Sequence, residues 1–205
     1  MAVAVTVVRV IYYLIKSKLL LLLLLLLTTL FSFSQSKKDS LYDPKAEIVH
    51  NGNRYKVYNN WFTGGAGYAL DLTKSREEFC LGIDYFFHLK WNYFQLGFLL
   101  AGREFGNYDN NNFHAGYVIR KETPQYNLCA FGGVSYATGY HFDKGQLDFN
   151  DPYDEPGAYL GAQAIYKLKY DIGIGITGMI NYNKYNWFAG GRLDIYFSGA
   201  FKGKK

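Results

Sequence analysis

Several things that would mark a familiar class are scarce or missing in this chain. Its 205 residues include two cysteines, Cys80 and Cys129, too few for the disulfide framework that staples many small secreted folds. Only four prolines interrupt it, so long extended segments can run unbroken. Beyond residue 35 no apolar run approaches the roughly 20 residues that a membrane-spanning helix needs. The first 35 positions hold no acidic residue at all.

That acid-free start carries Arg9, Lys16 and Lys18, then an unbroken leucine run from Leu19 to Leu27. In the following "SFSQS", Ser32 and Ser34 fall at the small-residue positions that a signal peptidase reads. Residues 1–35 are therefore predicted to be a secretory signal, cleaved after Ser34 or Gln35. Three of the 22 basic residues lie inside it, so the remainder nearly balances the 17 acidic ones. The basic character of the whole chain thus gives no ground for a nucleic-acid partner.

What is plentiful is tyrosine (20), phenylalanine (16) and glycine (22), a composition that favours strands over helices. Alternation supports this. In "FCLGIDYFFH", Phe79, Leu81, Ile83, Tyr85 and Phe87 are apolar, while Cys80, Gly82, Asp84 and His88 are small or polar. Side chains point to opposite faces along a strand, so the pattern separates one apolar face from one polar face. The same split recurs in "NYFQLGFLLAGRE", "FHAGYVIR", "YNLCAFGGVSYATGY", "AYLGAQAIYKLKY", "DIGIGITGMI", "WFAGGRLDIYF" and, more weakly, "WFTGGAGYAL". That makes eight predicted strands.

The polar faces carry Asp84, Arg103, Arg120, Gln163, Lys167, Lys169, Arg192 and Asp194. A soluble barrel or sandwich would put its apolar face inward and leave charges outside. Here the charges cannot all enter an apolar core, whereas a narrow wet lumen can hold them as paired groups. A closed barrel with lipid outside and a polar interior satisfies both faces and every backbone group. The fold predicted is all-β, an antiparallel up-and-down eight-stranded transmembrane β-barrel. Arg192 and Asp194 are expected to form an ion-pair network with Asp84 and Arg103.

Connection lengths agree with that topology. If the cleaved N-terminus starts in the periplasm, the long connections "REFGNYDNNN" and "HFDKGQLDFNDPYDEP" fall outside, and the tight ones "HLKWN", "RKETPQ" and "KYD" fall on the periplasmic side. Both termini are then periplasmic. Residues 36–59 are expected to form a periplasmic leader or a hairpin. The Asn51-Gly52 pair between "EIVH" and "RYKVY" signals the hairpin, which would cover the periplasmic mouth or raise the strand count to ten. The barrel is assigned to residues 60–201 and a basic tail to 202–205.

On these strands and connections the mature chain resembles the small eight-stranded bacterial outer-membrane β-barrels, the group typified by the OmpA transmembrane domain and OmpX. Its "SFSQ" signal ending resembles those of the Bacteroidetes. "GRLDIYF" is similar to the family's C-terminal assembly signal, in Gly191 followed by Leu193, Ile195 and Phe197. It departs from that signal by continuing through Phe201 to "KGKK". The resemblance implies insertion by the barrel-assembly machinery into a membrane of outer-membrane lipid and lipopolysaccharide.

Eight strands enclose an interior that side chains fill. The leading functional expectation is a structural and surface-interaction protein that presents its loops to an extracellular ligand or protein. A narrow ion or small-solute pore is the alternative, and a lipid A-modifying enzyme a second. No histidine lies two residues before a serine, and the lumenal His114 and Ser135 are the one pairing that invites a catalytic reading. Asp148, Asp151, Asp154 and Glu155 lack the spacing of a calcium loop. No cofactor or metal is expected. Gly173, Gly175 and Gly178 spell G-x-G-x-x-G, but a dinucleotide loop needs a helix after it, and the isoleucines alternate onward as a strand.

Overall fold

A computed structural model describes residues 42–73, 75–102, 110–143 and 146–204, with the backbone alone at 141–152 and 204. Eight strands close a barrel: β3 (Trp61–Asp71), β4 (Arg76–Leu89), β5 (Asn92–Gly102), β6 (Asn110–Glu122), β7 (Tyr126–Asp143), β8 (Gln146–Lys169), β9 (Ile172–Asn183) and β10 (Trp187–Ser198). Each pairs antiparallel with its neighbours in sequence, and β10 closes onto β3 from Phe188 opposite Asp71 to Ser198 opposite Trp61. Closure leaves no edge in the barrel wall.

The outer wall is apolar and bare. Leu193, Val134 and Ile176 are 72%, 68% and 60% exposed, and Ile83, Leu96, Phe113, Ile174 and Ile195 are exposed with them. Each such side chain left in water forgoes about 1.5–3 kcal/mol of burial, so the surface is built for hydrocarbon. Inward positions are filled. Trp61 stacks on Phe86 at 4.6 Å, Phe86 meets Phe131 edge-on at 5.8 Å, and Phe131 stacks on Tyr159 at 5.9 Å.

Three features differ from the sequence expectation. The stretch "HFDKGQLDFNDPYDEP" is largely strand, because β7 and β8 continue their pairing past a register shift at Tyr140/His141 as far as Asp143 opposite Gln146. At 24 residues β8 is about 80 Å of extended chain, far beyond the 9–11 residues a bilayer requires. Second, Lys169 does not share the inner face with Lys167. A bulge between Lys167 and Lys169 turns Lys169 outward.

Third, although the barrel has the eight strands expected, residues 202–204 form part of a strand rather than the expected basic tail. The hairpin β1 (Glu47–His50) and β2 (Asn53–Lys56) turns at Asn51 and Gly52, both at positive φ, as an Asn-Gly type I′ turn requires. Strand β11 (Phe201–Lys204) then pairs with β2, giving a separate three-stranded sheet β1-β2-β11. It lies beyond the ends of β3 and β10, where Tyr55 stacks on Tyr170 of the β8–β9 turn at 4.4 Å. Lys56 N–H donates to the Ala200 carbonyl, and Gly199 N–H to that of Asn60.

Lys202 donates to Glu47 at 2.6 Å and Arg54 lies 3.8 Å away. The Lys202 hydrogen bond holds the Glu47 carboxyl below its ordinary value. A carboxylate depressed in this way stabilises the sheet above the ordinary carboxylate range and loses that contribution as pH falls through the depressed value. Protection factors across residues 47–56, taken against intrinsic exchange at each pH, should therefore fall below about pH 4, while barrel amides stay protected. Glu47→Gln should show the lower protection already at neutral pH, with no further fall in acid. An acid response unchanged in Glu47→Gln would show that another group controls it.

Candidate functional site

Asp84, Arg120, Gln163, Lys167, Arg192 and Asp194 all point into the lumen and are fully or nearly buried. They gather into two layers. Arg103 lies outside the described residues.

The middle layer centres on Arg192. Its Nε donates to Asp194 Oδ1 at 2.6 Å, and its Nη2 to Asp84 Oδ2. The second Asp84 oxygen accepts from Gln95 Nε2 and from His114 Nε2, each at 2.7 Å. The second Asp194 oxygen accepts from Thr177 Oγ1 and, at 3.3 Å, from Gln163 Nε2. Gln163 Nε2 also reaches Thr177 Oγ1 at 2.9 Å and Thr63 Oγ1 at 3.2 Å. Side chains from β3, β4, β5, β6, β8, β9 and β10 thus meet around one guanidinium. A charge this deeply buried persists only when paired, and the two carboxylates supply that pairing through Nε and Nη2, while Nη1 has no hydrogen-bond partner among the described residues.

Two glycines make the layer possible. A Cβ on Gly82 would strike the Arg192 guanidinium, and one on Gly97 would strike both Asp84 Oδ1 and His114 Nε2. Gly97 sits between Asp84 and His114 in the pairing row across β4, β5 and β6. Its missing side chain is what lets the imidazole reach across β5 to the carboxylate.

The second layer lies at the end nearer the β1-β2-β11 sheet. Glu122 forms an ion pair with Arg120 Nη2 at 2.8 Å and accepts a hydrogen bond from Lys167 Nζ. Arg120 donates further to Asn127 Oδ1 (2.8 Å), Tyr93 Oη (3.2 Å) and Asn59 Oδ1 (3.3 Å). Its guanidinium lies 4.0 Å from the Trp61 ring centroid, a cation–π contact. Lys167 Nζ sits 3.9 Å over Tyr170.

Sequence reading had not placed Glu122 or Asn59 in the lumen. The sequence places Glu122 in the turn "RKETPQ", yet β6 runs on through it; Asn59 belongs to the segment before the barrel and reaches Arg120 from there. No periodic signal marks a side chain that enters from outside the strand pattern. Gln95 and Thr177 were legible as polar-face residues, but their partners were not.

His114 and Ser135 stand opposite one another on β6 and β7, without a hydrogen bond between them. The Nε2 of His114 is committed to Asp84, its ring stacks on Tyr159 at 3.9 Å, and its side chain is fully buried. A serine hydrolase would need the imidazole to bridge serine and acid beside an open substrate path; this geometry provides neither. Both cysteines are buried free thiols. No cluster of three metal-binding side chains occurs among the described residues. Asp148 and Asp151 have no described side chain, and Asp154 accepts a hydrogen bond from the Tyr136 hydroxyl at 2.6 Å.

Residues of the expected assembly signal sit on the last barrel strand. Leu193, Ile195 and Phe197 point outward and are exposed, and Gly191 shares their face.

Arg192→Ala would leave Asp84 and Asp194 buried without their shared cation. It should lower stability by about 3–5 kcal/mol, read from urea unfolding midpoints in lipid vesicles. Gly97→Ala should cost about 1–3 kcal/mol by overpacking. Midpoints unchanged in both variants would show that the barrel does not depend on this layer.

No family model and no curated protein sequence matches the chain. Solved structures do. The N-terminal β-barrel domain of Pseudomonas aeruginosa OprF aligns with a TM-score of 0.50 at 12% identity, over 69% of this chain and 98% of that one. Ail, the attachment invasion locus protein of Yersinia pestis, gives 0.48 at 9% identity over 69% and 98%. Neisserial surface protein A gives 0.47 at 12% over 68% and 95%. By fold, the chain is a small eight-stranded β-barrel of the outer-membrane type.

Proposed function

We propose that the protein is a structural and surface-interaction protein of the bacterial outer membrane, a sealed barrel that anchors its loops at the cell surface. The observation that carries this reading is the filled lumen. Two layers of paired charges cross it, with Asp84, His114, Arg192 and Asp194 fully buried. The aromatic stack from Trp61 to Tyr159 lies among the same inward side chains. Such an interior favours a scaffold over a conducting pore, because permeation needs a continuous wet path.

The bare apolar wall supports membrane insertion. The extended β7–β8 hairpin is the element best placed to meet a partner, since it continues well past the length that a bilayer takes up. On this reading the loops "NYDNNN" and "GQLDFNDPYDE" contact an extracellular ligand or protein, and acidic residues near the hairpin tip bridge to lipopolysaccharide phosphates through divalent cations. Both termini face the periplasm, and the barrel-assembly machinery reads Gly191, Leu193, Ile195 and Phe197 on β10.

Cell fractionation and gel mobility provide the first test. The protein should sediment with outer membranes and shift on boiling, and recovery in the soluble periplasm without a shift would overturn the reading. Reconstituted into planar bilayers, it should give no discrete conductance steps. Regular steps would establish the pore instead.

A further inference from the structure

We propose that the turn end of the barrel carries a lysine belt that binds the headgroup phosphates of anionic glycerophospholipids in the leaflet on that side. The inference rests on the membrane-spanning reading above. All three tight turns at that end, β4–β5, β6–β7 and β8–β9, carry an exposed lysine in the turn or within two residues of it: Lys90, Lys121 and Lys169.

Each lysine is turned outward by a different local device. Lys121 lies on the outward register of β6, opposite Leu128. Lys169 is brought outside by the bulge after Lys167 and pairs with Ile172. Lys90 occupies a two-residue turn at φ 56°, a conformation that glycine or asparagine adopts more cheaply. A strained backbone that presents a cation points to a use for the cation.

Apolar surface adjoins every one of them. Leu89 precedes Lys90, Leu128 faces Lys121, and Leu168 precedes Lys169, all exposed. Long lysine stems can lie along such a surface while the ammonium reaches the polar boundary. None of the three lysines joins an ion pair among the described residues. The acids nearby are otherwise engaged, Glu47 by Lys202 and Arg54 and Glu122 by Arg120 and Lys167, except for the half-buried Asp171. Among the described residues of the opposite rim, Glu77 and Asp154 are exposed, and the exposed Lys184 is engaged by the Tyr185 hydroxyl at 3.2 Å. Three outward lysines at one rim favour an anionic leaflet there electrostatically.

Spin-label electron resonance tests this on the full mature chain reconstituted in phosphatidylcholine. Spin-labelled phosphatidylglycerol should associate with the barrel several-fold more strongly than labelled phosphatidylcholine at low salt. The preference should approach unity in 1 M salt and in the triple variant Lys90→Gln, Lys121→Gln, Lys169→Gln. Lys184→Gln, on the other rim, should keep it. The boiling-dependent gel shift reports insertion separately for every sample. An inserted wild type without the preference, or an inserted triple variant that keeps it, overturns the belt while leaving the barrel reading intact. Stronger association of spin-labelled lipid A than of phosphatidylglycerol would also overturn it. Failure of the wild type to insert would remove both readings together.

Discussion

The Arg192 guanidinium, held between Asp84 and Asp194, is the contact on which the interior depends. A barrel of eight strands has room for side chains but not for a generous column of water, so a charge placed inside must find its partners among neighbouring strands. Seven of the eight contribute to the layer around this one cation. The arrangement is held in register by the wall itself, since a shift of one residue in any strand would carry its polar groups out to the apolar face.

That dependence explains why glycine recurs on the inner face. The layer needs the guanidinium close to β4 and the imidazole close to β5, and only an absent side chain at Gly82 and Gly97 gives that approach. The second layer works differently. Arg120 and Lys167 share Glu122, and Arg120 is further held by Asn59 from outside the barrel. The small sheet at that end is therefore tied to the lumen through Asn59 and to the β8–β9 turn through the Tyr55–Tyr170 stack.

The chain treats its two rims unequally. One end closes with short turns and outward lysines beside a sheet that joins the N-terminal hairpin to the C-terminal strand. The other extends β7 and β8 far past the apolar wall. The scaffold role proposed above fits this inequality, with long protein arms at one rim only. A filled lumen is consistent with that division, because nothing in it requires a passage between the two sides.

Much of this was legible in the residues alone. Alternation marked an apolar outer face along the barrel strands, most weakly in β3, because a strand's side chains have no choice but to alternate. Charges on the faces opposite the apolar stripes required a wet or paired interior, and Asn51-Gly52 announced the hairpin. What alternation could not supply was anything that depends on a neighbour. Lys169 read as inward until the pairing of β8 with β9 introduced a bulge. Residues 202–204 read as part of a tail until β2 offered them a hydrogen-bonding edge. Glu122 and Asn59 became lumenal only once strands far apart in sequence were brought together. Periodicity along one strand determines which way a side chain faces; which partner it meets is decided by register between strands, and that exists only in the closed barrel.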